Sequence, residues 1–274
     1  MTEDQPNRDL QEDLKLAFEL ADLADSITMP RYRAADLQVQ IKPDLTPVSE
    51  SDQAVEQALR ELLAEVRPDD TVIGEEFGGR VEIGANGRAW VIDPIDGTKS
   101  YVRGMDTWTT LIALLEHGEV KLGVVAMPAL GRRWWAIRGG GAFTALKGHG
   151  RYESELRRLQ VSAVDQLADA QLLWSGIEEW DAIGRFDQLA ELGRKAWRTR
   201  GVGDAWQYML LAEGAAELAM DPEATLWDLA AVSIVVEEAG GRFTALDGRP
   251  GPDGGSGLAS NGLLHDEALK LLGG

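Results

Sequence analysis

No cysteine occurs in the 274 residues, an absence that removes disulfides, thiolate nucleophiles and cysteine-ligated zinc together and fits a reducing cytoplasm. Histidine is almost as scarce: His117, His149 and His265 are too scattered for a zinc triad, and His117 reads as a turn residue. Long apolar runs are missing too. No stretch has membrane-spanning or signal-peptide length, and the segment from Met1 to Asp9 is polar and acidic, so the expectation is a cytoplasmic chain. Positive charge is short: 27 Lys plus Arg stand against 46 Asp plus Glu, a formal net charge of −19. A field of that sign repels nucleic-acid backbones and anionic membranes, which removes both as expected partners. Ser49 and Ser175 lack the flanks of a nucleophilic serine, and Gly139-Gly140-Gly141 lacks the strand-to-helix setting of a dinucleotide loop.

What remains is an ordinary globular balance, 44% hydrophobic and 27% charged, long enough for one large α/β domain or two fused halves. Leu10, Leu14, Ala17, Phe18, Ala21, Ala24 and Ile27 recur at helical spacing up to Pro30, and Ser51 reads as the N-cap of a second helix ending at Pro68. Alternation and apolar runs predict strands over residues 37–41, 71–73 and 89–92, a hairpin over 108–127 turning at His117-Gly118, and a strand over 133–137. Beyond Val161 the pattern predicts strands at 172–174, 216–220 and 241–246, and helices at 183–192, 205–213, 227–239 and 265–272. The nine tryptophans, Trp90, Trp134, Trp135 and Trp227 among them, are mostly core residues by default. The loop near Gly148 to Ser154 is the best boundary, dividing an α+β half, 1–150, from an α/β half, 151–274, of one compact unit.

The sharpest feature is Asp93-Pro94-Ile95-Asp96-Gly97-Thr98, placed directly after an apolar strand. Two carboxylates three residues apart at a strand end stay ionised most readily with cations between them, and oxygen-only ligation selects a hard divalent ion, magnesium first. Gly97 permits a tight turn, and Thr98 onward can present helix-start amides to a phosphate. Taken alone such a turn is more often an Asx-type cap with no catalytic role. Gly74-Glu75-Glu76 at the preceding strand end and Trp227-Asp228 at a helix start also have innocent readings when taken separately.

Together, and in this order, the Gly-Glu-Glu, Asp-Pro-Ile-Asp-Gly-Thr and Trp227-Asp228-Leu229-Ala230-Ala231 elements resemble the inositol monophosphatase superfamily. The early run from Asp44 to Asp52 is similar to that family's first loop motif, with Ser49 where threonine is more usual. The resemblance implies a layered α-β-α-β-α sandwich of the inositol monophosphatase / fructose-1,6-bisphosphatase type. It implies two to three Mg2+ per site: Glu75, Asp93 and the Ile95 carbonyl hold one ion, Asp93, Asp96 and Asp228 a second, and Glu75 with waters near Asp52 a weaker third. Most ligands then fall in the first half, and Asp228 and the specificity residues in the second. Thr98 paired with Asp52 would take the proton of the attacking water, with Glu75 also part of the catalytic set, and Asp96, Gly97 and Thr98 would meet the phosphate. Glu76 is left out of the ligand set. A homodimer is likewise implied by resemblance alone.

Within the superfamily, the runs 99–104, 127–135, 198–204 and 261–267 look most like the bacterial histidinol-phosphatase branch. That implies a small phosphorylated metabolite, L-histidinol phosphate, as substrate. Asp221 would accept from its ammonium, Asp204 or Glu223 would help, and Arg200 would contact substrate or brace the pocket. The same resemblance leaves open an inositol-phosphate, fructose-bisphosphate or adenosine-bisphosphate phosphatase, and a non-catalytic metabolite-binding regulator on the same fold.

Overall fold

The structure, a computed structural model, describes residues 5–43, 45–78, 87–148 and 151–273. Asp44 of the early motif and His149 lie outside the described residues. The amphipathic N-terminal stretch forms α1 (Gln5–Arg31), ending one residue past Pro30. A two-stranded arm, β1 (Val39–Ile41) antiparallel to β2 (Pro47–Ser49), leads into α2 (Glu50–Val66). The cap of α2 is Ser49 and not the expected Ser51. Ser49 and Asp52 form a reciprocal capping box, while the Ser51 hydroxyl accepts from the Tyr101 hydroxyl at 3.0 Å.

A seven-stranded sheet follows in chain order. β3 (Thr71–Gly74) runs parallel to β4 (Arg88–Asp96), the short α3 (Thr98–Val102) intervenes, and antiparallel neighbours complete it: β5 (Thr109–Glu116), β6 (Glu119–Met127), β7 (Arg132–Ile137), β8 (Gly141–Gly148) and β9 (Arg151–Arg158). The last pair flanks the loop near residue 150, and β9 carries the sheet on to Arg158. Strand β9 is an edge strand whose Glu155, Leu156, Arg157 and Arg158 are exposed, so it has no apolar alternation to announce it.

The second sheet has five strands in the order β11-β10-β12-β14-β13. Its elements are β10 (Gln171–Trp174), α4 (Ile177–Ala182), α5 (Phe186–Lys195), β11 (Arg198–Gly201), α6 (Asp204–Ala212), β12 (Leu218–Asp221), α7 (Leu226–Glu238), β13 (Arg242–Thr244), β14 (Gly257–Ser260) and α8 (His265–Leu272). The helix expected over 183–192 is α5, which starts three residues later, at Phe186, beyond Gly184 with φ +68°; α4 was not anticipated. β14, behind a Gly/Pro-rich run, was not anticipated.

Strand alternation sorts the layers. Trp90 and Ile92 of β4 and Ile112 and Leu114 of β5 pack on α1 and α2. Ala89, Val91, Leu111 and Ala113 point the other way, onto α6 and α7. The far side of those helices meets Leu173, Ala219, Phe243 and Ala259 of the second sheet, whose Leu172, Leu218, Met220 and Leu258 face Trp180, Leu189, Ala268 and Leu272. The result is the expected α-β-α-β-α sandwich. Helix α7 is buried continuously from Leu229 to Val236, as a helix covered on two faces must be, and it joins the two halves through one core. No helix among the described residues is long and apolar enough to cross a membrane.

Candidate active site

In a regular strand, residues three apart face opposite sides, so Asp93 and Asp96 cannot share a site without an irregularity. β4 supplies one. Asp93 pairs with Leu111 and Asp96 with Thr109, so Pro94 and Ile95 lie opposite Thr110 alone, a β-bulge that re-aims both carboxylates. Pro94 fits there because it has no amide to lose, and its carbonyl accepts from the Thr110 hydroxyl at 2.8 Å. Gly97 then turns the chain into α3 with φ +79°. A Cβ at that position would also stand 2.8 Å from Asp204 Oδ2.

Asp228 arrives from the other side. It is the third residue of α7, in a capping box with Thr225. Its Oδ2 accepts from the Thr225 amide at 2.6 Å and hydroxyl at 2.9 Å. Asp96 Oδ2 accepts from Thr109 Oγ1 at 3.0 Å and the Ala205 amide at 2.8 Å, and Asp93 Oδ1 from the Ile95 amide at 3.0 Å. In each, one oxygen is fixed by the chain. A carboxylate oxygen from each of Asp93, Asp96 and Asp228 lies within 4.8 Å of the others. Burial, then the charges of Glu75, Asp96 and Asp228, holds the Asp93 carboxyl well above its ordinary range. Burial, then Asp204 and Asp228, does the same to Asp96. Burial raises Asp228 against its Thr225 bonds. An all-oxygen set of crowded, oriented carboxylates fits a hard divalent cation.

Glu75 lines the same cleft but stands outside that tight triad. Lys42, on the loop between β1 and β2, bonds it at 2.8 Å and Glu76 at 2.7 Å. Burial alone would lower the Lys42 ammonium, and its two carboxylate bonds outweigh that and raise it. Glu76 does not line the cleft. Burial lifts its carboxyl to about 7 in spite of Lys42. Asp52 is fully buried: its Oδ2 accepts from the Ser49 amide and hydroxyl at 2.8 and 2.6 Å, and its Oδ1 meets Thr98 Oγ1 at 3.1 Å. Thr98 Oγ1 is also 2.9 Å from the Ile95 carbonyl, so its single proton serves one of two acceptors.

Away from the triad, the cleft of about 250 Å3 is lined by Ser175, Glu179, Asp204, Asp221 and Glu223, with Lys99 beside Thr98. Asp221 ends β12, buried, and accepts from the Tyr208 hydroxyl at 2.7 Å. Burial still pushes its carboxyl up to about 7. Burial, with the Glu179 and Asp228 charges, lifts Asp204 to about 6. Of the expected site residues, Glu75, Asp93, Ile95, Asp96, Gly97, Thr98, Asp204, Asp221 and Asp228 line this one cleft, and Asp52 touches it through Thr98. Arg200 does not line it: β11 leaves that side chain exposed, bonded to the Thr199 carbonyl at 2.7 Å. Sequence reasoning gave no role to Lys42, Glu179 or Tyr208. The capping boxes did leave a signal, Ser49-x-x-Asp52 and Thr225-x-x-Asp228.

A mixed α/β sandwich whose strand-end carboxylates gather beside a helix-start turn fits metal-assisted phosphoester chemistry. The model of the inositol monophosphatase family matches residues 9–272, and the chain belongs to that family. It is similar to a histidinol-phosphatase of Streptomyces coelicolor, 53% identical and covering 96% of this chain and 98% of that one. A histidinol-phosphatase of Mycobacterium tuberculosis is 51% identical, over 95% and 98%. Among solved structures, an inositol monophosphatase from Zymomonas mobilis matches with TM-score 0.81 and 30% identity over 96% of this chain and 98% of that one.

Proposed function

We propose that this chain is a magnesium-dependent phosphomonoesterase that hydrolyses L-histidinol phosphate to L-histidinol and phosphate. The observation that carries the substrate is the acid-lined half of the cleft. Glu179, Asp204, Asp221 and Glu223 face a space beside the metal carboxylates, and a leaving alcohol bearing an ammonium and an imidazole complements them. The two full-length relatives above support the same reading.

Glu75, Asp93, the Ile95 carbonyl, Asp96 and Asp228 are proposed to hold two magnesium ions, with a third leaning on Glu75 near Asp52. Bound there, divalent ions supply Lewis-acid stabilisation of phosphoryl charge and acidify an attacking water. The chain does the rest. Thr98, held between Asp52 Oδ1 and the Ile95 carbonyl, relays the water's proton to Asp52. Burial raises the Asp52 carboxyl, which makes it a better acceptor than an ordinary aspartate. The Gly97 and Thr98 amides and Lys99 orient the phosphate, and Asp221, stiffened by Tyr208, orients the ammonium. No covalent nucleophile is needed. The protein is proposed to work in the cytoplasm as a homodimer, with Arg200 as a brace outside the cleft.

Phosphate release with magnesium, measured on histidinol phosphate, inositol 1-phosphate, fructose 1,6-bisphosphate and an adenosine bisphosphate, tests the substrate. Histidinol phosphate should lead in kcat/KM by at least about tenfold, ~1.4 kcal/mol of transition-state binding. A different leader, or parity, refutes it.

A further inference from the structure

We propose that Glu56 is a positioning residue for the metal centre, clamping from α2 the turn that presents Glu75; this rests on reading Glu75 as a ligand. Glu56 is fully buried and lines no part of the cleft. Its Oε2 accepts from the Glu76 amide at 2.7 Å and its Oε1 from the Phe77 amide at 3.2 Å. Both amides belong to the tight turn after β3. Without an acceptor they would be left unpaired in a partly buried place, which a turn does not tolerate. Arg60, one turn further along α2, bonds Glu56 Oε1 at 2.8 Å and reaches the carbonyls of Val72 and Gly78. The Glu56–Arg60 pair therefore grips the turn's amides in its middle and carbonyls on both flanks. Lys42 holds only the tip of Glu75, through a long flexible side chain, whereas Glu56 fixes the backbone just beyond it.

Gly74 is shaped to admit this clamp. A Cβ there would stand 2.2 Å from Glu56 Oε1 and 2.3 Å from its Cδ, so the carboxylate occupies the space that any other residue at 74 would fill. The placement on α2 adds a second consequence. Asp52 and Glu56 are four residues apart on one helix face, about 6 Å along its axis. One rigid element thus sets the Asp52–Thr98 contact and the Glu75 turn together, so the proton acceptor and the outer metal ligand keep a constant separation.

The test is manganese binding to the metal-free protein, followed by the electron paramagnetic resonance of free Mn2+, with thermal unfolding of each metal-free variant alongside. Glu56→Gln should raise the dissociation constant of the Glu75-dependent ion about tenfold, while substrate KM at saturating metal changes less than about twofold. Gly74→Ala, which displaces the same carboxylate from the other side, should weaken the ion similarly, and the double variant should be little worse than either, as for two changes in one contact. Binding within about twofold of the parent in folded Glu56→Gln overturns the proposal. If Glu56→Gln does not fold, unchanged binding in Gly74→Ala overturns it equally. Glu75→Gln separates the premise: if that variant also binds manganese normally, Glu75 is not a ligand and the clamp falls with it.

Discussion

At the scale of single residues, the site works by dividing each aspartate between two tasks. One oxygen of Asp52, Asp93, Asp96 and Asp228 is spent on an amide or hydroxyl of the chain, which fixes the carboxylate before any ion arrives. Asp96→Asn keeps the volume and the bonds to Thr109 and Ala205 within reach while removing the charge. Turnover should fall more than about a hundredfold, and the melting temperature of the metal-free protein should hold or rise, since a repelled buried carboxylate has gone; a large drop in melting temperature would make Asp96 structural. The Glu179 side chain lines the cleft and makes no hydrogen bond or ion pair with another described residue. Glu179→Gln should lower the ratio of kcat/KM for histidinol phosphate over 4-nitrophenyl phosphate about tenfold, and an unchanged ratio would remove it from recognition. Legibility at this scale follows chain distance. Asp93 and Asp96 could be read because they are neighbours after an apolar strand. Lys42, Glu179 and Tyr208 could not, because each gains its meaning from a partner or a wall supplied by a remote element.

Elements decide where those residues point. The bulge after Asp93 puts two acids on one side of a strand, Gly97 turns the chain immediately afterwards, and the capped N-terminus of α7 brings Asp228 in from the second half. Gly97→Ala meets two penalties, a left-handed backbone for a residue with a Cβ, about 1–2 kcal/mol, and contact with Asp204 Oδ2. Melting should drop by roughly 3–6 °C and activity with it; an unaltered melting curve would mean that the turn relaxes freely. The central strands β4 to β7 and helix α7 were readable because two-sided burial writes long apolar runs. β9 is exposed, and β14 is four residues flanked by glycine-rich chain, so neither leaves such a trace. The α4–α5 break turns on Gly184, whose left-handed backbone no periodicity reveals. Ser51 fits a cap by residue type, but its hydroxyl meets Tyr101 from a remote element while Ser49 forms the capping box with Asp52.

Across the whole molecule, a cleft of uncompensated acids opposes folding at neutral pH. Burial first, then neighbouring charges, raises Asp204 to about 6 and Asp221 to about 7, with Asp93 and Asp96 well above their ordinary range. A carboxyl that binds its proton more tightly in the native state favours folding below its unfolded value, near 4, and that advantage disappears as pH climbs through the raised value. Metal-free protein should therefore melt at a lower temperature at pH 7.5 than at pH 5.5, and magnesium should raise melting more at pH 7.5, where the acids are ionised and free to bind it. Equal shifts at both pH values would contradict the account. The α/β class followed from the strand and helix order and the layered sandwich from the family resemblance, whereas the joining of its halves through α7 needed the layers in view. The central claim is that acids from three distant segments share divalent ions, and its most direct measurement is anomalous diffraction from crystals grown with manganese. The account predicts peaks bounded by Asp93, Asp96 and Asp228, with one also reached by Glu75. A map with no peak there, and these side chains turned towards separate solvent, would contradict it.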